Sequence, residues 1–263
     1  MQPFRFSIID YLNALPLNMA FKDHLFGEEA SLTFDFPSQC ADNLASGNAD
    51  VGLISSIEYQ RIPNLVIAPK ICIASRHEVK SVLILTRKDL KDVEVVALDR
   101  FSRSSVALLR ILLFRRYGLR PRFITMTPDP KTMLEQADAA LIIGDAALHL
   151  ESGDYEILDL AREWHRETQL PFVFAFWAIR KDCPTREIAT MLLKAKHYGV
   201  EQVPLRIPEI QERWSLSEEE ILLYFTKHIH FDLESKEQES LQRFFRYAKE
   251  AGLIHNVTPS VFA

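Results

Sequence analysis

What the sequence lacks excludes several classes of protein. Its three cysteines, Cys40, Cys72 and Cys183, are widely spaced and form neither a disulfide framework nor a metal-binding spacing, so we expect reduced thiols in a reducing compartment. The formal net charge of -5 is accompanied by no basic block, and nucleic acid is therefore not an expected partner. No apolar run is long enough to span a bilayer, which predicts a protein without a membrane segment.

Recognisable catalytic motifs are missing as well. The sequence has no phosphate-binding loop, no dinucleotide fingerprint, no zinc-protease motif and no Gly-x-Ser-x-Gly turn. His228 and His230 come nearest to a metal-binding pair, but no Cys or acidic residue stands at a suitable ligand spacing, so we predict no metal and no cofactor. The N-terminus, MQPFRFSIIDYLNALPL, lacks the apolar core and cleavage site of a secretory signal, which predicts a cytoplasmic location.

What is present is an alternation of apolar strands and helices in a chain of 263 residues. We predict strands at 4–9, 31–36, 50–54, 65–74, 79–86, 93–98, 123–126, 139–143, 155–160 and 172–179. Helices fall at 39–46, 104–117, 129–136 and 146–151, and three more at 185–198, 217–227 and 235–251. This alternation predicts an α/β protein.

The chain has no Gly/Ser-rich linker, so a boundary between lobes has to be a crossover of the chain. We place crossovers near residues 87–92 and 176–180. The first lobe is then discontinuous, with residues 1–90 and 178–263, and residues 91–177 form a second lobe inserted in it. Two crossing segments make a hinge, and a ligand is expected in a central cleft between the lobes.

The segment from Asp99 to Arg116 runs from a buried strand through a polar turn into a strong helix former. Ser102, Ser104 and Ser105, with the unpaired N–H groups of the first helical turn, make a good site for an anion. Arg103 adds a forked donor for a carboxylate. The alternative is that the serines only cap the helix.

Two earlier strand-to-helix junctions have the same character. Asn13 follows the first strand, and its amide either caps the helix or binds a ligand. Ser55 and Ser56 follow the third strand, and they too are either caps or ligand donors. Because the carboxyl ends of strands gather at one sheet edge, we expect these side chains to lie close together.

Three further residues complete the predicted site. Ser81 lies within a strand and points into the cleft if that strand faces it. Gly144 permits close backbone approach after the strand at 139–143. Asp145 either caps the following helix or contacts the substrate.

Several motifs together resemble the chorismate dehydratases of the futalosine route to menaquinone. They are Tyr11–Leu17 (YLNALPL), Asp50–Tyr59 (DVGLISSIEY), Ser102–Leu109 (SRSSVALL), Ile143–Ala147 (IGDAA), and Glu163–Trp164 with Leu170–Ala175 (LPFVFA). The resemblance runs along the whole chain in order. It implies a type 2 periplasmic-binding-protein-like fold, and the conversion of chorismate, a small dicarboxylate, to 3-[(1-carboxyvinyl)oxy]benzoate and water.

The resemblance also implies roles for individual residues. Asn13 and Ser81 match positions that contact the substrate and are the expected catalytic residues, while the serines at 102, 104 and 105 match a hydroxyl-rich helix start. Asp145 and Glu58 are the acidic candidates for the base. Our hypothesis is instead that the enolpyruvyl carboxylate of the substrate, held by Asn13 and Ser81, removes the proton. Where the family has Ser-Arg-Thr-Ser, this chain has Ser104 in place of the threonine. Ser55 stands where relatives often carry a proline. Neither change removes a hydrogen-bond donor.

Two other functions stay open at this point. One is 1,4-dihydroxy-6-naphthoate synthase, a similar fold that carries His and Glu where this chain has Gly144 and Asp145. The other is a non-catalytic cytoplasmic solute-binding or sensor protein. The sequence makes no prediction of the oligomeric state.

Overall fold

The computed structural model describes residues 2–150 and 153–263, which form two mixed β-sheets flanked by helices. The strands are β1 (Phe4–Ile9), β2 (Ala30–Asp35), β3 (Val51–Ser55), β4 (Leu65–Ile67), β5 (Ile73–Ser75), β6 (Val82–Thr86), β7 (Val95–Asp99), β8 (Arg122–Met126), β9 (Ala139–Ile143), β10 (Glu156–Asp159) and β11 (Phe172–Arg180). The helices are α1 (Leu15–Lys22), α2 (Pro37–Ser46), α3 (Ser104–Arg115), α4 (Pro130–Gln136), α5 (Asp145–Leu148), α6 (Leu160–Thr168), α7 (Thr185–Gln202), α8 (Ile207–Trp214), α9 (Glu218–Leu223) and α10 (Ser235–Glu250).

Each sheet combines parallel and antiparallel pairs. The first has the order β2-β1-β3-β11-β4, with β5 also paired to β11. In it, β1 runs parallel to β2 and β3, whereas β11 runs antiparallel to its three partners. The second sheet has the order β10-β6-β9-β7-β8, in which β7 is parallel to β8 and β9. The carboxyl ends of β1, β3, β7 and β9 all lead directly into turns and helices, which is where open α/β sheets hold ligands.

Strand pairing differs from the predicted division at residues 90 and 178. The strand β6, which we assigned to the first lobe, pairs with β9 and β10 in the second sheet. Among the described strands, β11 pairs only with those of the first sheet. The chain therefore crosses between sheets at 76–81 and at 160–171. Both strands are almost entirely buried, and a continuous apolar run carries no alternating pattern that would tell which sheet it joins.

Most predicted helices are present, with a few differences. The predicted strand at 65–74 is two strands, because the chain turns at Lys70, which has a φ of +63°. The helices α6 and α8 were not predicted. The predicted helix at 146–151 begins one residue earlier and corresponds to α5; its last residue, Glu151, lies outside the described residues.

Aromatic residues join the first sheet to α1 and α6. The rings of Phe6 and Phe21 lie 4.8 Å apart, and Trp177 of β11 packs edge-on against Phe6 at 6.0 Å. Trp164 of α6 packs at 5.4 Å against Phe172, at the start of the same strand. β11 therefore lies against packed aromatic side chains along its length, which fixes one wall of the ligand cleft. Among the described residues, no helix combines the length and apolar character needed to cross a membrane.

Candidate active site

A narrow cavity of about 50 Å³, here called the cleft, lies between the two sheets at the carboxyl ends of their strands. The structure brings together most of the predicted site residues around it: Asn13, Ser55, Ser81, Ser102, Ser104, Ser105 and Gly144. None of the described residues that line the cleft carries a formal charge. An anion held there has to be bound by hydroxyls, amides and backbone N–H groups.

Asn13 lies in the 3-10 turn Leu12–Ala14 that joins β1 to α1. Its side chain makes no capping hydrogen bond, so the capping alternative is not what the structure shows. Its Oδ1 atom is buried without a hydrogen-bond partner among the described residues. A buried polar atom that lacks a partner is costly unless something else satisfies it. The Asn13 amide oxygen is therefore available to a ligand in the cleft.

Three hydroxyls are free to act on the same ligand. Ser55, Ser102 and Ser105 are buried, line the cleft and make no side-chain hydrogen bond to any described residue. The first helical hydrogen bond of α3 is donated by Ala107, so the amides before it have no partner within the helix. These N–H groups and the positive end of the helix dipole favour an anion beside Ser102 and Ser105.

Ser56 and Ser104 are already engaged with each other. The Ser56 hydroxyl donates to the carbonyl of Val173 at 2.8 Å, and Ser104 donates to Ser56 Oγ at 3.0 Å. Ser104 Oγ also accepts the backbone N–H of Ile57 at 3.1 Å. These consecutive hydrogen bonds satisfy both hydroxyls and join α3 to the turn after β3. Ser104 touches the cleft but its hydrogen is used, and Ser56 does not line the cleft.

Arg103 does not face the cleft, which corrects the expectation that its guanidinium binds a carboxylate of the ligand. Its Nη1 donates to Glu58 at 2.6 Å and its Nη2 donates to Asp42 at 2.8 Å. Glu58 also accepts from Arg61 at 2.7 Å. The arginine therefore ties α3 to the first lobe from outside the cleft, and Glu58, held by two arginines, is not placed to act as a base in it.

Asp145 also forms hydrogen bonds within the protein and does not line the cleft. Its Oδ1 accepts the backbone N–H of Leu12 at 3.0 Å, and its Oδ2 accepts Trp214 Nε1–H at 2.8 Å. Burial raises the pKa of this carboxyl. Asp145 links the second sheet to the turn that carries Asn13, and neither oxygen is aimed at the cleft.

Gly144 is required where it stands. Its φ is +65° and its ψ is -144°, a region that essentially only glycine occupies. A Cβ atom there would lie 3.2 Å from two ring carbons of Tyr11. The glycine also donates its N–H to the carbonyl of Ser81 at 2.8 Å, and so holds Ser81 at the cleft.

Tyr224 is a site residue that the sequence analysis missed. Its Oη atom lies 2.8 Å from Ser81 Oγ, and both residues are buried. Val79 O, the other neighbour of that serine oxygen, is 3.5 Å away. Burial raises the pKa of Tyr224, so the phenol stays protonated, and either oxygen can donate in this hydrogen bond. When Tyr224 donates, the hydrogen of Ser81 is left for a ligand or for Val79 O. Tyr224 lies 143 residues further along, in a helical segment, and no local pattern marks it.

Asp99 is a second buried group that the sequence analysis passed over. It ends β7, accepts the N–H of Phe101 at 2.7 Å and is 2% exposed. Burial raises the pKa of Asp99 to about 6, above its value of about 3.9 in an unfolded chain. The folded state thus binds this proton more tightly, and stability from this group falls as the pH rises from about 4 to about 6.

We expect Asp99→Asn to raise the free energy of unfolding at pH 7 by about 1–3 kcal/mol, because the amide still accepts from Phe101 without a buried charge. At pH 4 the gain should vanish, since the carboxyl is then neutral in the folded state. Urea unfolding at both pH values measures this. Asp129→Asn is the control, because the Thr132 side chain and backbone lower the pKa of Asp129, and its loss should bring no gain at pH 7. An equal gain for Asp99→Asn at both pH values would contradict the explanation.

The two histidines considered as a metal pair have separate partners. His228 Nδ1 donates to the carbonyl of Glu78 at 3.2 Å, and His230 Nε2 lies 3.0 Å from Glu237 Oε1. Within residues 2–150 and 153–263, no group of three or more His, Cys, Asp or Glu side chains is arranged to hold a metal ion.

The two sheets, the two crossing segments and the cleft between them define a two-lobed α/β protein of the periplasmic-binding-protein type. Two solved structures share this fold. A protein from Archaeoglobus fulgidus matches with a TM-score of 0.73 and 16% identity, over 96% of this chain and 99% of that one. An alkanesulfonate-binding protein from Xanthomonas axonopodis pv. citri matches with a TM-score of 0.70 and 13% identity, over 97% of this chain and 94% of that one. The predicted fold is confirmed.

The chain belongs to the menaquinone biosynthesis family, whose model matches residues 4–250. Two relatives are named chorismate dehydratase. That of Thermus thermophilus is 27% identical over 263 residues, covering 93% of this chain and 94% of the relative. That of Campylobacter jejuni is 29% identical over 255 residues, covering 94% of this chain and 99% of the relative. The resemblance drawn from the sequence motifs is confirmed.

Proposed function

We propose that this protein is a chorismate dehydratase, a carbon–oxygen lyase that converts chorismate to 3-[(1-carboxyvinyl)oxy]benzoate and water. The observation that carries the proposal is the uncharged cleft, in which the buried amide oxygen of Asn13 has no hydrogen-bond partner among the described residues. Relatives of that name, matched over nearly their whole length, supply the substrate. A cytoplasmic location, expected from the sequence, is part of the proposal.

The two carboxylates of chorismate match two groups of donors. One carboxylate is held at the start of α3 by backbone N–H groups with Ser102 and Ser105. The enolpyruvyl carboxylate is held by Asn13 and Ser81, which also line the cleft. Oriented hydrogen-bond donors of this kind bind an anion without a positively charged side chain beside it. They also bring no charged side chain to the site of a reaction that releases water.

The proton transfer is assigned to the substrate itself. The enolpyruvyl carboxylate takes the ring proton, the electrons of that C–H bond move into the ring, the neighbouring C–O bond breaks, and the hydroxyl leaves with the proton as water. Aromatisation of the ring drives the step. This assignment is supported by the positions of Asp145 and Glu58, because neither carboxylate lines the cleft and each is held by other residues of the protein.

The test is incubation of the purified protein with chorismate, followed by mass analysis. The expected product has lost one water and shows the absorbance of a substituted benzoate. Chorismate that is bound but unchanged would favour a sensor or solute-binding protein. Chorismate that is neither bound nor changed would overturn the proposal and favour the alternative function, 1,4-dihydroxy-6-naphthoate synthase.

Replacing Tyr224 with phenylalanine is expected to lower kcat about 3- to 10-fold with little change in KM, since one hydrogen bond that orients Ser81 is lost. In Ser81→Ala the same change should have no further effect. Steady-state kinetics of the two single variants and the double variant measure this coupling. Tyr59→Phe is the control, because the Tyr59 hydroxyl bonds the backbone at Pro259 and Val261, away from the cleft. Additive losses would show that Tyr224 does not act through Ser81.

A further inference from the structure

Tyr11 is a residue of the cleft to which the proposed reaction gives no role. It lines the cleft together with Asn13 and Gly144 and is half-buried. Its hydroxyl makes no hydrogen bond to any described residue. A phenol carries one hydrogen that it can donate. The hydrogen of Tyr11 is therefore available to a ligand in the cleft.

The Tyr11 ring is held in place by contacts on several sides. Its carbonyl accepts the N–H of Ala14 at 3.0 Å. The next residue, Leu12, donates its N–H to Asp145 at 3.0 Å, which joins the same stretch of backbone to the helix after β9. The ring itself lies against Gly144, where a Cβ atom would come within 3.2 Å of two of the ring carbons. The phenol is thus part of a preorganised wall of the cleft.

The phenol of Tyr11 is a neutral hydrogen-bond donor. Burial raises its pKa, and the charges of Asp99 and Asp145 raise that pKa further. The hydroxyl therefore keeps its hydrogen at neutral pH. Such a donor stabilises an oxygen that gains negative charge, and it brings no formal charge into the cleft.

The chemistry of chorismate indicates which oxygen this donor meets. The ring hydroxyl leaves from the carbon next to the one that bears the enolpyruvyl ether, so the leaving oxygen lies close to the enolpyruvyl group. In the proposed function, Asn13 and Ser81 hold the carboxylate of that group. Tyr11 stands two residues before Asn13. Gly144, against which its ring lies, donates its N–H to the carbonyl of Ser81 at 2.8 Å. Tyr11 is therefore joined to both residues that hold the enolpyruvyl carboxylate.

We propose that Tyr11 is a further catalytic residue, whose phenol donates a hydrogen bond to the ring hydroxyl that leaves as water. As the enolpyruvyl carboxylate takes the ring proton, the electrons of the C–H bond form a ring double bond and the neighbouring C–O bond breaks. Negative charge grows on the departing oxygen, where the hydrogen bond from Tyr11 stabilises it. That oxygen takes the proton from the enolpyruvyl carboxylic acid, so the carboxylate is restored and Tyr11 keeps its own hydrogen. The assignment rests on the proposed function.

Tyr11→Phe tests the assignment, because it removes the hydroxyl and keeps the ring against Gly144. We expect kcat for chorismate to fall about 10- to 100-fold while KM changes less than about threefold, since the lost hydrogen bond strengthens as charge develops in the transition state. Tyr59→Phe is the matched control, because the Tyr59 hydroxyl bonds the backbone at Pro259 and Val261, away from the cleft. It should change neither constant.

Ser55→Ala compares the other cleft hydroxyl that the proposed reaction does not use. Its neighbour Ser56 shares a hydrogen bond of 3.0 Å with Ser104 in the first turn of α3, where the second carboxylate is proposed to bind. Loss of the Ser55 hydroxyl should therefore raise KM more than it lowers kcat. A fall in kcat in Ser55→Ala with none in Tyr11→Phe would overturn the assignment.

Calorimetric binding of the product separates this role from a structural one. The product has both carboxylates but lacks the leaving hydroxyl, so Tyr11→Phe should bind it within about twofold of the parent protein. Product binding that weakens as much as kcat falls would make Tyr11 a support of the cleft and overturn the assignment. Turnover by Tyr11→Phe equal to that of the parent would overturn the role of Tyr11 alone. A parent protein that does not turn over chorismate would overturn the proposed function, and this role with it.

Discussion

Replacing Asn13 with alanine should lower kcat for chorismate by about 10²- to 10³-fold without lowering the stability of the fold. The loss has the size seen when one donor to a developing anion is removed from a preorganised site. Asn13 lines the cleft, and its Oδ1 atom is buried with no partner among the described residues. Asn13 therefore serves to bind the ligand rather than to stabilise the fold.

The free energy of unfolding of Asn13→Ala distinguishes a loss of function from a loss of folding. Because the Asn13 side chain makes no hydrogen bond to the described residues, its removal breaks no native contact of that kind. We expect the free energy of unfolding to stay the same or to rise, because the substitution removes a buried amide oxygen that has no partner among the described residues. Kinetics measured beside urea unfolding test both halves.

Asn13→Asp is the matched comparison, since it keeps the shape and adds a negative charge. It should raise KM for the dianionic substrate more than Asn13→Ala does, because like charges in a buried site repel. Unchanged turnover in Asn13→Ala would remove Asn13 from the mechanism. A large loss of stability in that variant would instead mean that the residue supports the fold.

The gathering of the site residues could be predicted from the sequence. Ser55, Ser102 and Gly144 each stand at or just after the end of an apolar strand, and open α/β sheets hold ligands at such strand ends. The periodicity that predicted the strands therefore predicted these ends, but the structure divides them between two facing sheets where the sequence predicted one sheet edge. Asn13 was found by the same reasoning, and the structure adds that its buried amide oxygen has no hydrogen-bond partner within residues 2–150 and 153–263.

The hydrogen-bond partners could not be predicted in this way. A serine at a helix start is equally suited to a ligand and to a neighbouring hydroxyl, and only the packing of α3 on the turn after β3 commits Ser104 to Ser56. Arg103 and Asp145 are paired with residues distant in the chain, such as Glu58 and Trp214. Tertiary contacts of this kind leave no trace in local spacing.

Replacing Gly199 with alanine should cost about 3 kcal/mol or more of stability, the upper end of what overpacking a close contact does. Gly199 lies on α7 where that helix packs against α1. A Cβ atom at Gly199 would lie 1.7 Å from the carbonyl oxygen of Pro16 and 2.5 Å from its carbonyl carbon. Backbone atoms cannot rotate away as a side chain does, so the two helices have to separate.

The damage should reach the cleft, because α1 begins two residues after Asn13. A shift of α1 moves the turn that carries Asn13, so any folded Gly199→Ala protein should also turn over chorismate more slowly. Urea or thermal unfolding measures the main effect, and activity at low temperature measures the second. Val200→Ala, at the neighbouring and 45% exposed position on α7, is the control and should change neither. If Gly199→Ala unfolds at the same denaturant concentration as the parent, α1 and α7 are not packed as closely as the structure places them.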